Sequence, residues 1–382
     1  MAKVKCELCG ELVDSIQLHL SSAHKAEDVT LPEYQERFPE APLFSDEAIA
    51  LIRRKEGERR VAMSTQANVV TLSTAPTTEM LHERFGLGNI RSAMSSSGNG
   101  IPIQVMGSHD FEDMIPERDS NYVIIVDLLK DIMMGIELNI PVYVWGHAGT
   151  GKTTIINQIA HYTRRPVMRV QHTANMTESD VTGQWKVVNG ETIFEPGPLA
   201  LAMKHGWLYL ADEYDFAYPS VLSVYQPVLE GQPLLIKEAD AANRLVRPHQ
   251  NFRFVATGNT NGSGDEHGLY SGTNIQNAAN YSRFGITKEV RYMDQEPEVL
   301  MVRQQAKVLE EDAQELVKWA NKIRTQFEGG EISSTVGPRE LIHAAKIGAL
   351  RDDFRLGIEL AITNRWTPID RESANSLAQR HF

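Results

Sequence analysis

The chain has 382 residues, 42% of them hydrophobic and 23% charged, the proportions of a folded globular protein with two or three domains and not of a fibre or a disordered tail. Lys and Arg number 38 against 50 Asp and Glu, a formal net charge of −12 that disfavours a large non-specific surface for nucleic acid. No apolar run reaches the roughly eighteen residues that span a bilayer, and residues 1–6 lack the apolar stretch of a secretory signal, so a cytoplasmic chain with no membrane contact is expected.

Residues 1–60 hold both cysteines in the pattern Cys6-x2-Cys9-x9-His19-x4-His24. Two soft thiolates and two imidazoles are the donor set that tetrahedral Zn²⁺ prefers. A redox Cys-x-x-Cys would need βαβ surroundings and would leave both histidines unexplained. For His19 and His24 to reach one ion, the helix carrying them has to end or loosen near Ser21 and Ser22. So few residues need such a staple to fold. Residues 53–60 read as a solvated charged helix. Across residues 1–60 nine Lys and Arg face twelve Asp and Glu, so the module has no electrostatic footprint for DNA, and protein docking or a structural cap is at least as good a use.

Residues 61–115, rich in Ser, Thr, Asn and Gly, read as a flexible linker, loosest at residues 95–100. From 116 to 296 buried β-branched runs alternate with helical patterns, which predicts a parallel α/β nucleotide-binding core. From 297 to 382 the pattern is helical, a C-terminal lid domain.

The core carries the chemistry. Gly146, His147, Ala148, Gly149, Thr150, Gly151, Lys152 and Thr153 fit G-x-x-x-x-G-K-[ST] between a predicted strand and a helix that runs on from Thr154. Glycines let backbone N–H groups wrap a phosphate, and the helix adds its positive end. Lys152 is expected to neutralise the β and γ phosphates of a bound nucleotide, and Thr153 to ligate Mg²⁺. Residues 207–213 read as a buried strand ending in Asp212, for the Mg²⁺ shell, and Glu213, to orient and deprotonate the attacking water. Asp215 reads either as a further acid near the site or as a helix N-cap. A later strand ends at Asn259, placed to bridge water and γ-phosphate. Trp185 to Phe194 alternate around Asn189-Gly190, a β-hairpin signal. Tyr122 and nearby apolar residues are candidate adenine neighbours.

Together with Ser282-Arg283-Phe284 and Gly337-Pro338-Arg339, these motifs resemble the AAA+ ATPases in order and spacing. More narrowly, residues from about 115 onward resemble the CobS-type branch of the MoxR group, the ATPase subunit of aerobic cobaltochelatase, through Asp212-Glu213-Tyr214-Asp215, Arg247-Pro248-His249 and the run from Gly264 to Thr273. The resemblance implies a ring, most often a hexamer, with ATP between neighbours. Arg283 would then reach the neighbour's γ-phosphate, Asn259 would be sensor 1, Arg339 sensor 2, and the hairpin would face the pore. It also implies a CobT-like partner with a von Willebrand A domain. The cysteine–histidine module is similar to Ros/MucR-type C2H2 fingers, including Leu31 to Pro39. CobS-type subunits are not expected to carry such a finger, which leaves cobalt insertion, a DNA-tethered motor and a nucleotide-binding scaffold as alternatives to a ring that remodels or loads a protein.

Overall fold

The computed structural model describes residues 3–24, 30–39, 41–45, 75–265 and 268–382. The chain divides into two compact units, Met1–Ser73 and Thr74–Phe382. The predicted charged helix at 53–60 and residues 61–74 of the predicted linker lie outside the described residues.

In the first unit, β1 (Val4–Lys5) and β2 (Leu12–Val13) pair antiparallel, followed by α1 (Ile16–Ala23) and α2 (Leu31–Arg37). Ser15 caps α1 by accepting from the Leu18 amide. Among the described residues the buried apolar core is Val4, Cys6, Ile16, Leu20 and Tyr34, and the Tyr34 hydroxyl accepts from the Glu7 amide at 2.9 Å. Five side chains make too small a core to hold a fold unaided.

The second unit opens with β3 (Thr77–Met80) paired antiparallel to β4 (Pro102–Val105). Residues 75–115 therefore differ from the linker their composition predicts: Leu81 and Ile103 are buried in one cluster with Leu129, Ile132 and Ile156 of the core. Leu81, Phe85, Ile103 and Val105 are buried while Met80 and Ile90 stay exposed, a position-by-position division that an average over Ser and Asn conceals. Even residues 95–99 form an ordered turn, closed by the Ser95 amide on the Asn99 carbonyl and the Asn99 amide on Ser95 Oγ, the local bonding that makes Ser and Asn turn residues.

After α3 (Val126–Leu138) come β5 (Val142–Trp145), α4 (Lys152–Thr163) and β6 (Val167–Gln171). The hairpin β7 (Gly183–Val188) and β8 (Glu191–Pro196) turns at Asn189 and Gly190, both with positive φ, as its Asn-Gly predicts. Then follow α5 (Pro198–His205), β9 (Leu208–Asp212), the short β10 (Leu234–Leu235) and β11 (Leu245–Val246), β12 (Arg253–Gly258) and β13 (Ile286–Glu289). Five strands form one parallel sheet in the order β13-β5-β12-β9-β6. β9 and β12 are buried along their whole length, as continuous apolar runs in a two-sided parallel sheet must be. One apolar cluster packs around Ile132, Ile155 and Leu210, another around Tyr209, Tyr225 and Phe254. The site lies at the carboxyl ends of β5, β9 and β12, where loops gather in such sheets.

The C-terminal region is helical throughout: α6 (Gln295–Ala306), α7 (Glu310–Glu328), α8 (Pro338–Arg351), α9 (Phe354–Ala361) and α10 (Pro368–Ala378). Its cluster is centred on Trp319, Ala320, Ile323 and Leu341. Within it Arg324 and Glu298, both buried, form a two-pronged ion pair at 2.6 and 2.8 Å. No helix among the described residues is long and apolar enough to cross a membrane.

Candidate nucleotide and metal sites

The loop between β5 and α4 turns through Gly149 and Gly151 with φ of +79° and +87°, backbone that side-chain-bearing residues rarely adopt. Lys152 folds back under it. Its ammonium donates to the Gly146 and His147 carbonyls at 2.7 and 2.9 Å and to Asn259 Oδ1 at 3.1 Å. Burial pulls this ammonium down to about 8 against the attraction of Asp215, Asp212 and Glu213. Thr154 sits in the first turn of α4. His147 stacks on Tyr292, their ring centres 5.5 Å apart. The Tyr270 hydroxyl meets His147 Nδ1 and accepts from the Ala148 amide at 3.0 Å.

Thr153 Oγ1 donates to Asp212 Oδ1 at 2.9 Å, bringing the two residues expected near magnesium together from the start of α4 and the end of β9. Burial raises the Asp212 carboxyl, but hydrogen bonds from Thr257 and the charge and hydrogen bonds of Arg169 and Thr153 outweigh it and hold the group below its ordinary range. The Thr257 hydroxyl donates to Asp212 Oδ1 and accepts the Glu213 amide. Glu213 itself has φ of +53°, and its Oε2 accepts from Gln171 at 2.7 Å.

Of the two readings, Asp215 does not cap the following helix, whose N-cap is Tyr218, and lies instead as an acid beside the site. It is fully buried, and its Oδ2 accepts from the Asn259 amide, the Thr260 amide and the Thr260 hydroxyl at 2.9, 2.8 and 2.9 Å. Burial raises its carboxyl despite these donors. It is the post to which the Asn259 turn is tied.

Arg339 flanks the same loop at the start of α8: a Cβ built on Gly149 would stand 3.7 Å from that of Arg339. A cavity of about 470 Å³ opens there, lined by Gly149, Tyr270, Arg339, His343 and Arg365. Another, of about 650 Å³, lies beside His147, Asn259 and Tyr292. A third, of about 360 Å³, is lined by residues 123–128 and 288–294; Tyr122 falls one position short of its lining. Arg283 is not brought to Lys152 or Glu213 within the chain. It pairs with Glu230 at 2.7 Å.

Arg169, Gln171 and Thr257 were not singled out from sequence. They are polar residues in mainly apolar strands, Arg169 and Gln171 both in β6 and Thr257 in β12 with Arg253, and those interruptions are the signal they carried. Arg169 and Gln171 stand two apart on β6 and so share a side.

These donors fit a nucleotide and its metal: a buried cation under a glycine turn, and a hydroxyl and a carboxylate already in contact. In the first unit, the ligand atoms of Cys6, Cys9, His19 and His24 all lie within 4.8 Å of one another; Cys9 Sγ is 3.1 Å from His19 Nε2 and Cys6 Sγ 3.8 Å from His24 Nε2. A tetrahedron of Zn–S bonds near 2.3 Å has edges of about 3.8 Å. α1 does not end at Ser21 and Ser22 as expected. It runs to Ala23, and His24 leaves helical geometry at the cap, with φ −108° and ψ 21°.

Residues 141–284 match the AAA domain of the dynein-related subfamily, and residues 298–379 the CbbQ/NirQ/NorQ C-terminal domain. The chain is 31% identical to the aerobic cobaltochelatase subunit CobS of Sinorhizobium sp. over 279 residues, 70% of this chain and 83% of that one. It is 24% identical to NorQ of Paracoccus denitrificans over 59% of this chain and 79% of that protein. It is also 27% identical to mouse von Willebrand factor A domain-containing protein 8, over 59% of this chain and 12% of that one.

Proposed function

This chain belongs to the MoxR-type AAA+ ATPases, which hydrolyse ATP, and we propose that it works as a ring that remodels or loads a protein, with a CobT-like von Willebrand A domain protein as its partner. Lys152 and the loop amides bind the phosphates. Thr153 and Asp212 hold the magnesium ion, which when bound neutralises charge on the phosphate oxygens. Glu213, the residue after β9, takes the proton of the attacking water. Asn259, tied to Asp215 and to Lys152, orients that water. Arg339 reports on the phosphates to the helical domain, and Arg283 leaves Glu230 to serve the site of an adjacent copy, in a ring of six.

The observation that carries this is the meeting of Lys152 with Asn259 and of Thr153 with Asp212, four residues spread over more than a hundred positions. Similarity to a mouse protein named for a von Willebrand factor A domain supports the choice of partner, and similarity to CobS keeps cobalt insertion as the second reading. Cys6, Cys9, His19 and His24 bind zinc in a finger that docks on protein, in keeping with its acidic balance. Glu213→Gln is expected to bind ATP as the wild type does while phosphate release falls by about 10² to 10⁴. Hydrolysis at an undiminished rate would refute the assignment.

A further inference from the structure

Every hydrogen-bonding direction of the Asp212 carboxylate is taken within the chain. Such a group offers about four lone-pair directions. Oδ1 accepts from Thr153 and Thr257, and Oδ2 meets Arg169 through Nε at 2.8 Å and Nη2 at 2.5 Å. A divalent cation, or a water it carries, reaches Asp212 only when one of these donors leaves.

The three are unequal. The Thr153 hydroxyl can keep donating to Asp212 while its oxygen offers a lone pair to a cation, so it has no need to move. Thr257 is 1% exposed, lies within β12 and holds the Glu213 amide as well; releasing it would strand buried polar groups. Arg169 stands on β6, the edge strand of the sheet, with 53% of its side chain exposed. It can swing into water on its long stem at little cost. A guanidinium left in place would face the arriving cation at close range, like charge against like.

Resting on the reading of Thr153 and Asp212 as the magnesium neighbours, we infer that Arg169 is a positioning residue: an internal cation that keeps the buried Asp212 carboxylate paired while the metal is away and withdraws when it arrives. Metal binding is then an exchange of one cation for another. Arg169 thereby weakens the metal affinity of the resting chain, and protects Asp212 from standing alone in a buried place.

The test uses the full zinc-loaded chain with ADP, titrated with Mn²⁺ and followed by the loss of the free-ion electron paramagnetic resonance signal. Arg169→Met is expected to lower the half-saturating Mn²⁺ concentration by about two- to fivefold, the scale of a half-exposed ion pair. ADP affinity measured with no divalent cation added should be unchanged. Arg169→Lys, which keeps the charge without the two-pronged geometry, should fall between, and decides the matter should the Met variant not fold. Unchanged or weaker Mn²⁺ binding in these variants, with ADP still bound when no divalent cation is added, would overturn the exchange alone. A wild-type chain that bound no ADP in any condition would overturn the nucleotide reading and this inference with it.

Discussion

Replacing Asp215 tests how the Asn259 turn is held. Asp215→Ala removes one oxygen that serves three donors, leaving the Asn259 and Thr260 amides and the Thr260 hydroxyl facing an apolar gap. Hydrogen bonds to a charged group are worth about 1.5–3 kcal/mol each. The three share one acceptor atom, and the loss also relieves the burial of a carboxyl, so the expected net cost is about 4 kcal/mol, a large share of the roughly 5–15 kcal/mol that stabilises a domain. At a urea dependence of about 3 kcal/mol per M, the midpoint should fall by about 1.3 M. Asp215→Asn should behave differently. Its carbonyl can still serve all three donors, while the amide nitrogen falls where Oδ1 has no hydrogen-bond partner among the described residues, an unmatched donor costing about 1–2 kcal/mol. Urea unfolding followed by tryptophan fluorescence measures both. A loss under 1 kcal/mol in the Ala variant, or an Asn variant as damaged as the Ala one, would refute the reasoning.

Two further outcomes follow from the buried charges and the thiol cluster. Arg324→Leu strands Glu298, which is wholly buried, and should cost about 3–5 kcal/mol in urea unfolding, whereas the double variant Glu298→Leu with Arg324→Leu should recover most of it; a double variant no better than the single would contradict this. Because the described residues of the first unit bury just five apolar side chains in one cluster, a strong zinc chelator should make residues 3–24 exchange amide protons freely within seconds while β9 and β12 stay protected. Protection of α1 that survives complete zinc removal would count against a metal staple.

The phosphate loop was legible because its letters are contiguous: Gly146 to Thr153 adopt their shape within one strand–loop–helix unit, and local backbone freedom is a property of the residues themselves. The acids after Leu210 and the amide after Thr257 could be read for the same reason, each terminating an apolar run that only a two-sided sheet can bury. The Asn189-Gly190 turn is likewise local. Residues 75–115 were misjudged because composition is averaged over a window, while burial belongs to single positions such as Leu81 and Ile103.

What ties the site together is not local at all. β12 lies between β5 and β9, and β6 lies outside β9, so segments far apart in the chain end side by side. That ordering sets Thr257 against both Asp212 and Glu213, brings Gln171 to Glu213 and Arg169 to Asp212, and buries Asp215 beneath Asn259. The polar interruptions of β6 and β12 mark these residues in the linear pattern but not their partners, because a hydrogen bond between neighbouring parallel strands depends on which strands become neighbours, and the packing of helices on both faces of the sheet decides that.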